Sequence, residues 1–180
     1  MNPASIVAAV LATAPQALVV ASLGTATSAL RAASDDGPHL YLGGSMGTAL
    51  AAALGVAEKR PERRVIALLG DGETLTGASS LWTLAGLAPR NLLAIVLVDG
   101  HYSITGGALG VPGVFAGVAQ ALGLATATAR SPAEVTEHVE RLPRPGLLEV
   151  HYEDRAWPGP SPFVDPPVVR WLFEDAARRP

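Results

Sequence analysis

Two acidic turns carry the residues best suited to chemistry. The apolar run Val65 to Leu69 ends in Gly70-Asp71-Gly72-Glu73, and the run Leu92 to Val98 ends in Asp99-Gly100-His101. Both runs read as buried parallel strands, and each ends in a carboxylate beside residues that permit sharp turns. Side by side at one edge of a sheet, two such loops offer hard oxygen ligands and backbone N–H groups together. That combination suits a divalent cation bridged to a phosphate ester or diphosphate. A single Asp-Gly pair is an ordinary turn signal. Two of them at the ends of neighbouring buried strands favour magnesium, which takes oxygen ligands and keeps phosphate oxygens and water in its shell. Gly24-Thr25 and Gly72-Glu73 are candidate diphosphate contacts, since small residues before a helix let N–H groups approach an anion. Glu73 also reads as a first-turn partner of the helix dipole. His101 reads either as a solvated loop residue or as a substrate contact able to move a proton near neutral pH. Ser103 and Thr105 can donate hydrogen bonds to an anionic group.

The elements that must position these residues follow from periodicity and punctuation. Asn2-Pro3 opens a helix that runs to about Leu11. Strands are expected at Ala17–Ala21, Leu40–Leu42, Val65–Leu69, Leu92–Val98, Ala125–Thr128 and Gly146–His151. Helices are expected from Gly24 to about Ala33, Met46 to Glu58, Thr76 to Leu87, Val114 to Leu122, Pro132 to Arg141 and Val168 to Arg178. Ser131-Pro132-Ala133-Glu134 is a capping box with Pro at the first helical position. Ser34 to Pro38 reads as a polar loop. Gly47, Ala51 and Gly55 recur at helical spacing and predict a small-residue face. Asp99 to Gly113 is a long loop rich in glycine, a kind that is more often functional than passive. Trp82 reads as core, and His39 and His138 as surface residues.

Strands alternating with helices predict an α/β fold, a single doubly wound parallel sheet with helices on both faces. The unusual loops at Gly24, Gly44, Asp71 and Asp99 each follow a strand, so they converge on one rim, where such sheets bind ligands. One domain is expected over residues 1–180, with a Pro-rich arm and a terminal helix at about 152–180.

The chain has 180 residues, 49% hydrophobic and only 16% charged. Charged residues make up about a quarter of an average soluble domain. The deficit reads either as an Ala-rich composition or as surface buried against other subunits. Net charge is −3 without a basic run, which argues against nucleic acid as a partner. The absence of cysteine excludes disulfides, thiolate nucleophiles and cysteine-ligated metals. The start lacks the basic segment of a signal peptide, and no apolar run reaches the ~20 residues of a membrane span. A cytoplasmic protein without a membrane partner is the expectation.

Beyond these readings, several stretches resemble a known family. Leu23-Gly24-Thr25, Leu42-Gly43-Gly44-Ser45-Met46-Gly47, Gly70-Asp71-Gly72 and Asp99 through Gly107 resemble the diphosphate-binding half of thiamine-diphosphate enzymes of the phosphonopyruvate and sulfopyruvate decarboxylase branch. The resemblance implies the thiamine-diphosphate-binding fold and a diphosphate-binding domain. It implies thiamine diphosphate and Mg2+ as cofactors, with the side chains of Asp71 and Asp99 and the main-chain carbonyl of His101 on the ion. The family usually has Asn where Asp99 stands, and Ser or Ala where Glu73 stands. Gly44, Ser45 and Met46 correspond to the segment that seats the aminopyrimidine, with Met46 propping the cofactor; by residue type alone Met46 reads as core filler. Gly70, Tyr102, Ser103 and Ile104 join Gly24, Thr25, Gly72 and Glu73 as expected cofactor contacts.

The resemblance also implies a division of labour. The Glu that activates the cofactor belongs to a separate pyrimidine-binding domain, and this chain has no second α/β copy. A pyrimidine-binding (alpha) subunit in a hetero-oligomer is therefore the expected partner, and a small 2-oxo acid the expected substrate. The expected activity is decarboxylation by the two-chain enzyme. An acetolactate-type carboligase subunit and a non-catalytic scaffolding subunit are the alternatives, Asp99 and Glu73 being the best support for the latter. A nicotinamide-binding domain is disfavoured, because no Gly-x-Gly-x-x-Gly follows the first strand.

Overall fold

The computed structural model describes residues 1–34, 37, 39–111, 113–159 and 165–179. The chain runs α1 (Pro3–Thr13), β1 (Leu18–Ala21), α2 (Gly24–Ala33), β2 (His39–Tyr41), α3 (Ala49–Lys59), β3 (Val65–Gly70) and α4 (Asp71–Thr76). It continues α5 (Ser79–Leu87), β4 (Leu92–Val98), β5 (His101–Tyr102), a 3-10 turn (Ser103–Thr105), β6 (Ala108–Leu109) and α6 (Phe115–Ala121). The last elements are β7 (Ala125–Ala129), α7 (Pro132–Arg141), β8 (Gly146–His151) and α8 (Pro166–Arg178).

Six strands form one sheet in the order β2-β1-β3-β4-β8-β7, and every pairing in it is parallel. The burial pattern explains why. All seven residues of β4 are buried, as are all four of β1, so neither strand has a face for water. Successive side chains of a strand point to opposite faces, and each face has its own core. Leu93, Ile95 and Leu97 pack with α1, α2 and α7, through Ile6, Val10, Leu30, Val135 and Val139. Leu92, Ala94, Val96 and Val98 pack with α3, α5, α6 and α8, through Leu50, Leu54, Leu84, Phe115 and Phe173. The expected doubly wound sheet is therefore what the chain forms.

Helix ends follow local chemistry. Asn2 Oδ1 accepts from Ser5 N at 2.9 Å, and Ser131 Oγ accepts from Glu134 N at 3.3 Å, completing a capping box at α1 and at α7. At the edge away from the site, buried Arg63 donates to the carbonyls of Ala176 (2.9 Å), Arg179 (2.6 Å) and Gln16 (3.0 Å). That fastens the end of α8 to the body.

Several expectations are corrected. The helix expected at Thr76–Leu87 is two helices, one beginning directly at Asp71 and the second at Ser79. The break falls where two backbones cross: a Cβ on Gly77 would lie 2.3 Å from the carbonyl oxygen of Gly47, which is itself at φ +80°. Helix α3 starts at Ala49, so Gly47 lies outside it. Its buried face is Ala49, Leu50, Ala53, Leu54 and Ala57, and the small-residue line through Ala51 and Gly55 is exposed. Trp82 is 57% exposed rather than core. Leu81 and Leu84 already point inward, and one residue further along a helix turns a side chain by about 100°. His39 is buried and lies edge-on to Tyr41, not at the surface. Asp99–Gly113 is more ordered than a plain loop, since β5 and β6 pair as a short antiparallel ribbon. Asp35, Asp36 and Pro38 of the expected polar loop, Pro112, and residues 160–164 of the Pro-rich arm lie outside the described residues. No helix among the described residues is long and apolar enough to cross a membrane.

Candidate functional site

The strand order reverses between β1 and β3, since the chain passes from β1 outward to β2 and then returns to the other side of β1. Open α/β sheets place their ligand crevice at such a point, outside the carboxyl ends of the strands. A cleft of about 290 Å³ opens there. The turn after β1 contributes Leu23, Gly24 and Thr25, and the end of β3 with α4 contributes Gly70, Asp71, Gly72 and Glu73. The end of β4 and the ribbon contribute Asp99, His101, Tyr102, Ser103 and Ile104. Met46 enters from the turn before α3.

The two acids stand just past the ends of the adjacent strands β3 and β4. Asp71 is buried. Its Oδ1 accepts from Gly72 N at 2.7 Å and its Oδ2 from Gly100 N at 3.0 Å, tying the end of β3 to the turn after β4. Burial raises the Asp71 carboxyl above the usual carboxylate range; the nearby Asp99 charge adds to this, while the N–H groups of Gly72 and Gly100 oppose it. Asp99 Oδ1 accepts from His101 N at 3.0 Å. Its Oδ2 is buried and accepts no hydrogen bond. A buried carboxylate oxygen without a hydrogen-bond donor is costly unless a cation meets it, and here the half-exposed Arg155 guanidinium approaches it, with Nε at 3.5 Å. No group of three or more His, Cys, Asp or Glu side chains able to hold a metal occurs among the described residues. Two carboxylates completed by phosphate oxygens and water nevertheless meet what magnesium asks of a protein, so the residues fit that ion.

Glu73 has a different job from the one its position suggests. It lines the cleft, but its carboxylate bonds to the neighbouring turn. Oε2 accepts from Gly47 N at 2.8 Å and Oε1 from Ala49 N at 3.0 Å. Glu73 thus supplies, from another element, the acceptor that the start of α3 lacks, because Thr48 makes no capping bond there. The same two bonds hold the turn that carries Met46. A Cβ at Gly72 would lie 3.2 Å from the Tyr102 ring, which would have to give by a few tenths of an ångström, and in ordinary contact with Met46 at 3.6 Å, so the cleft floor is tight there.

The ribbon is held by the Tyr102 hydroxyl, which accepts from Val111 N at 3.1 Å, and by Gly110 N donating to the Gly100 carbonyl at 2.8 Å. Thr25 and Ser103 approach each other at 3.4 Å, bridging the β1 turn to the ribbon. The His101 ring nitrogen Nδ1 lies 3.0 Å from the Asp99 carbonyl.

Most of the expected site residues therefore meet in one cleft. Gly44 and Ser45 do not line it; both lie in the exposed turn ahead of Met46. Tyr152 lines it without having been expected. It follows β8, its N–H donates to the Val98 carbonyl at 3.1 Å, and burial raises its phenol well above the usual range, with the Asp99 charge adding to the effect. Its position just past a strand end was the available signal.

Comparison with known proteins agrees with the fold. Residues 22–150 match the model of the thiamine pyrophosphate enzyme family, C-terminal TPP binding domain. The chain belongs to this family. The matched span holds Gly24, Met46, Asp71, Asp99 and the whole ribbon, so in this thiamine pyrophosphate enzyme domain all of the cleft lining except Tyr152 lies within the family's own portion. Over 93 residues the chain is 40% identical to phosphonopyruvate decarboxylase of Streptomyces hygroscopicus, covering 52% of this chain and 23% of that protein. Over 89 residues it is 39% identical to sulfopyruvate decarboxylase subunit beta of Methanothermobacter thermautotrophicus, covering 49% of this chain and 48% of that subunit. A solved thiamine diphosphate-dependent 4-hydroxybenzoylformate decarboxylase from Rhodococcus jostii RHA1 superposes with a TM-score of 0.67 at 25% identity, covering 85% of this chain and 32% of that one. The chain thus matches half or less of the length of these relatives. The resemblance seen in the motifs holds.

Proposed function

We propose that this chain is the diphosphate- and magnesium-binding half of a two-chain thiamine-diphosphate-dependent 2-oxo acid decarboxylase. The observation that carries this reading is an imbalance in the cleft. It has paired carboxylates for an ion, but no carboxylate left to activate a cofactor. Its acidic lining residues are Asp71, Asp99 and Glu73, and the Glu73 carboxylate is occupied by Gly47 and Ala49. The activating Glu is then supplied by a partner subunit bearing the pyrimidine-binding domain. A relative named as a subunit, sulfopyruvate decarboxylase subunit beta, supports the same division. Met46 (46%) and Ile104 (52%) line the cleft yet stay largely exposed, as expected of a site closed by a second surface.

Asp71 and Asp99, with the His101 carbonyl, would hold Mg2+, and Gly24, Thr25 and Gly72 would receive the diphosphate. Met46 would support the cofactor's organic part from the side. When bound, thiamine diphosphate supplies the electron sink that a decarboxylation needs. The chain's own part is to fix the anionic end, to exclude water with the Ile104 and Tyr102 side of the cleft, and to present His101 at its mouth. His101 is placed to donate a proton to substrate. The substrate is a small 2-oxo acid, and the names of the relatives favour one with a phosphonate or sulfonate group. Ser103 and Thr105 are the hydroxyls available to such a group.

The test is to purify the chain alone and together with a pyrimidine-domain polypeptide from the same genome. Carbon dioxide release from a panel of 2-oxo acids is then measured. Turnover only in the mixture is expected. Turnover by the chain alone would overturn the two-chain reading, and no turnover in any assembled mixture would leave the scaffolding alternative.

A further inference from the structure

Arg155 follows β8 and reaches Asp99 from outside the cleft. Its guanidinium donates to the Asp99 carbonyl at 3.0 Å, and its Nε lies 3.5 Å from Asp99 Oδ2. The Asp99 side chain is 3% exposed and that of Arg155 is 48% exposed. The sheet explains the arrangement. Strand β4 has β3 on one side and β8 on the other. Asp99, at the end of β4, therefore has the Asp71 carboxylate on its β3 side and the Arg155 guanidinium on its β8 side.

We propose that Arg155 is a positioning and charge-setting residue that allows a diphosphate to bind beside two carboxylates. The proposal rests on the reading of the cleft given above. Asp71 and Asp99 together attract a divalent cation but repel the anion that must sit against it. Arg155 neutralises Asp99 from behind without occupying the cleft, since it does not line it. Its charge therefore acts with opposite sign on the two ligands. It repels free Mg2+ and attracts the net negative complex of magnesium with a diphosphate. The buried Oδ2 feels that charge strongly, because half of the pair is out of water, while the exposed half of Arg155 limits the effect.

The opposite signs make the test specific. Affinity for Mg2+ alone, and for thiamine diphosphate at saturating magnesium, is measured by calorimetry on the full chain and on Arg155→Gln. Removing the charge is expected to tighten Mg2+ binding and to weaken thiamine diphosphate binding, each by roughly threefold to tenfold. A merely structural role would weaken both. Arg155→Lys keeps the charge and should behave like the unsubstituted chain. Arg155→Gln in an Asp99→Asn background should change neither affinity by more than about twofold, because the carboxylate it compensates is gone. Both affinities moving in the same direction overturns the proposal, as does no change, or an equal effect in the Asp99→Asn background. If the unsubstituted chain binds neither probe, with or without its partner, the reading of the cleft fails and the role of Arg155 fails with it.

Discussion

Replacing Glu73 by Ala tests the claim that one carboxylate both caps α3 and holds the Met46 turn. Two bonds from backbone N–H groups to a charged acceptor are lost, and such bonds contribute about 1.5–3 kcal/mol each. They are not equivalent here. Ala49 is buried, so its N–H is left without water or partner and costs near the top of that range. Gly47 is only half-buried, so water replaces much of what is lost there. Ala is a slightly better helix former than Glu, which returns a few tenths of a kcal/mol in α4. The net loss is about 2–4 kcal/mol. Urea unfolding of the ligand-free chain measures it, with an unchanged slope as the sign that the fold is otherwise intact. Glu73→Gln keeps one acceptor oxygen and turns an NH2 toward the other N–H, so it should lose most of the same amount rather than half. Amide hydrogen exchange gives the local readout: Gly47 and Ala49 should exchange faster in both variants while β4 stays protected. A loss below about 0.5 kcal/mol, the size of an ordinary surface substitution, or unchanged exchange at Ala49, would refute the latch.

Asp71→Ala should abolish magnesium-dependent thiamine diphosphate binding, while Asp99→Asn keeps an oxygen at the site and retains it; calorimetry on the assembled complex checks both. Arg63→Ala should destabilise the fold by about 2–4 kcal/mol, because several carbonyls lose a charged donor; it should also expose α8 to proteolysis, which gel analysis after brief protease treatment would reveal. Glu134 accepts from Arg130 N and Ser131 N, and the Arg130 bond foremost holds its carboxyl below the usual value. A carboxyl lowered on folding adds stability above its unfolded pKa and loses it as pH falls through the folded one. Glu134→Gln should therefore be less stable than the unsubstituted chain at pH 7, and the gap should close in acid below the folded pKa; thermal melts across that range decide it.

Much of the site was legible because a parallel sheet turns sequence order into geometry. Each strand ends on the same rim, so the motifs at Gly24, Asp71 and Asp99 had to converge once their strands were recognised. The apolar runs at Val65 and Leu92 were unmistakable, because strands buried on both faces read as continuous apolar segments. What escaped was whatever depended on direction rather than order. Trp82 is as apolar as Leu81 beside it, and periodicity over a short helix does not say which of the two faces the sheet. The small-residue line through Ala51 and Gly55 was real, but the helix begins after Gly47, and the rotation that buries Ala53 and Leu54 leaves that line outside. The ribbon at His101–Leu109 was hidden in a glycine-rich stretch too short for a strand pattern.

Glu73 and Arg155 show the sharper limit. Next to Asp71, Glu73 looked like a cofactor contact or a first-turn charge; its partners are the N–H groups of a turn two dozen residues earlier. Arg155 lies in the segment expected as a Pro-rich arm, and only the adjacency of β8 to β4 brings it behind Asp99. The two residues solve one problem in opposite ways. A cleft that gathers carboxylates for a cation must keep surplus negative charge away from a diphosphate. Glu73 does so by spending its charge on backbone N–H groups outside the cleft. Asp99 stays in the cleft and has its charge met from behind. Glu73 and Asp99 are thus each matched by a partner, the N–H groups of Gly47 and Ala49 for one and the Arg155 guanidinium for the other, as the proposed diphosphate site requires.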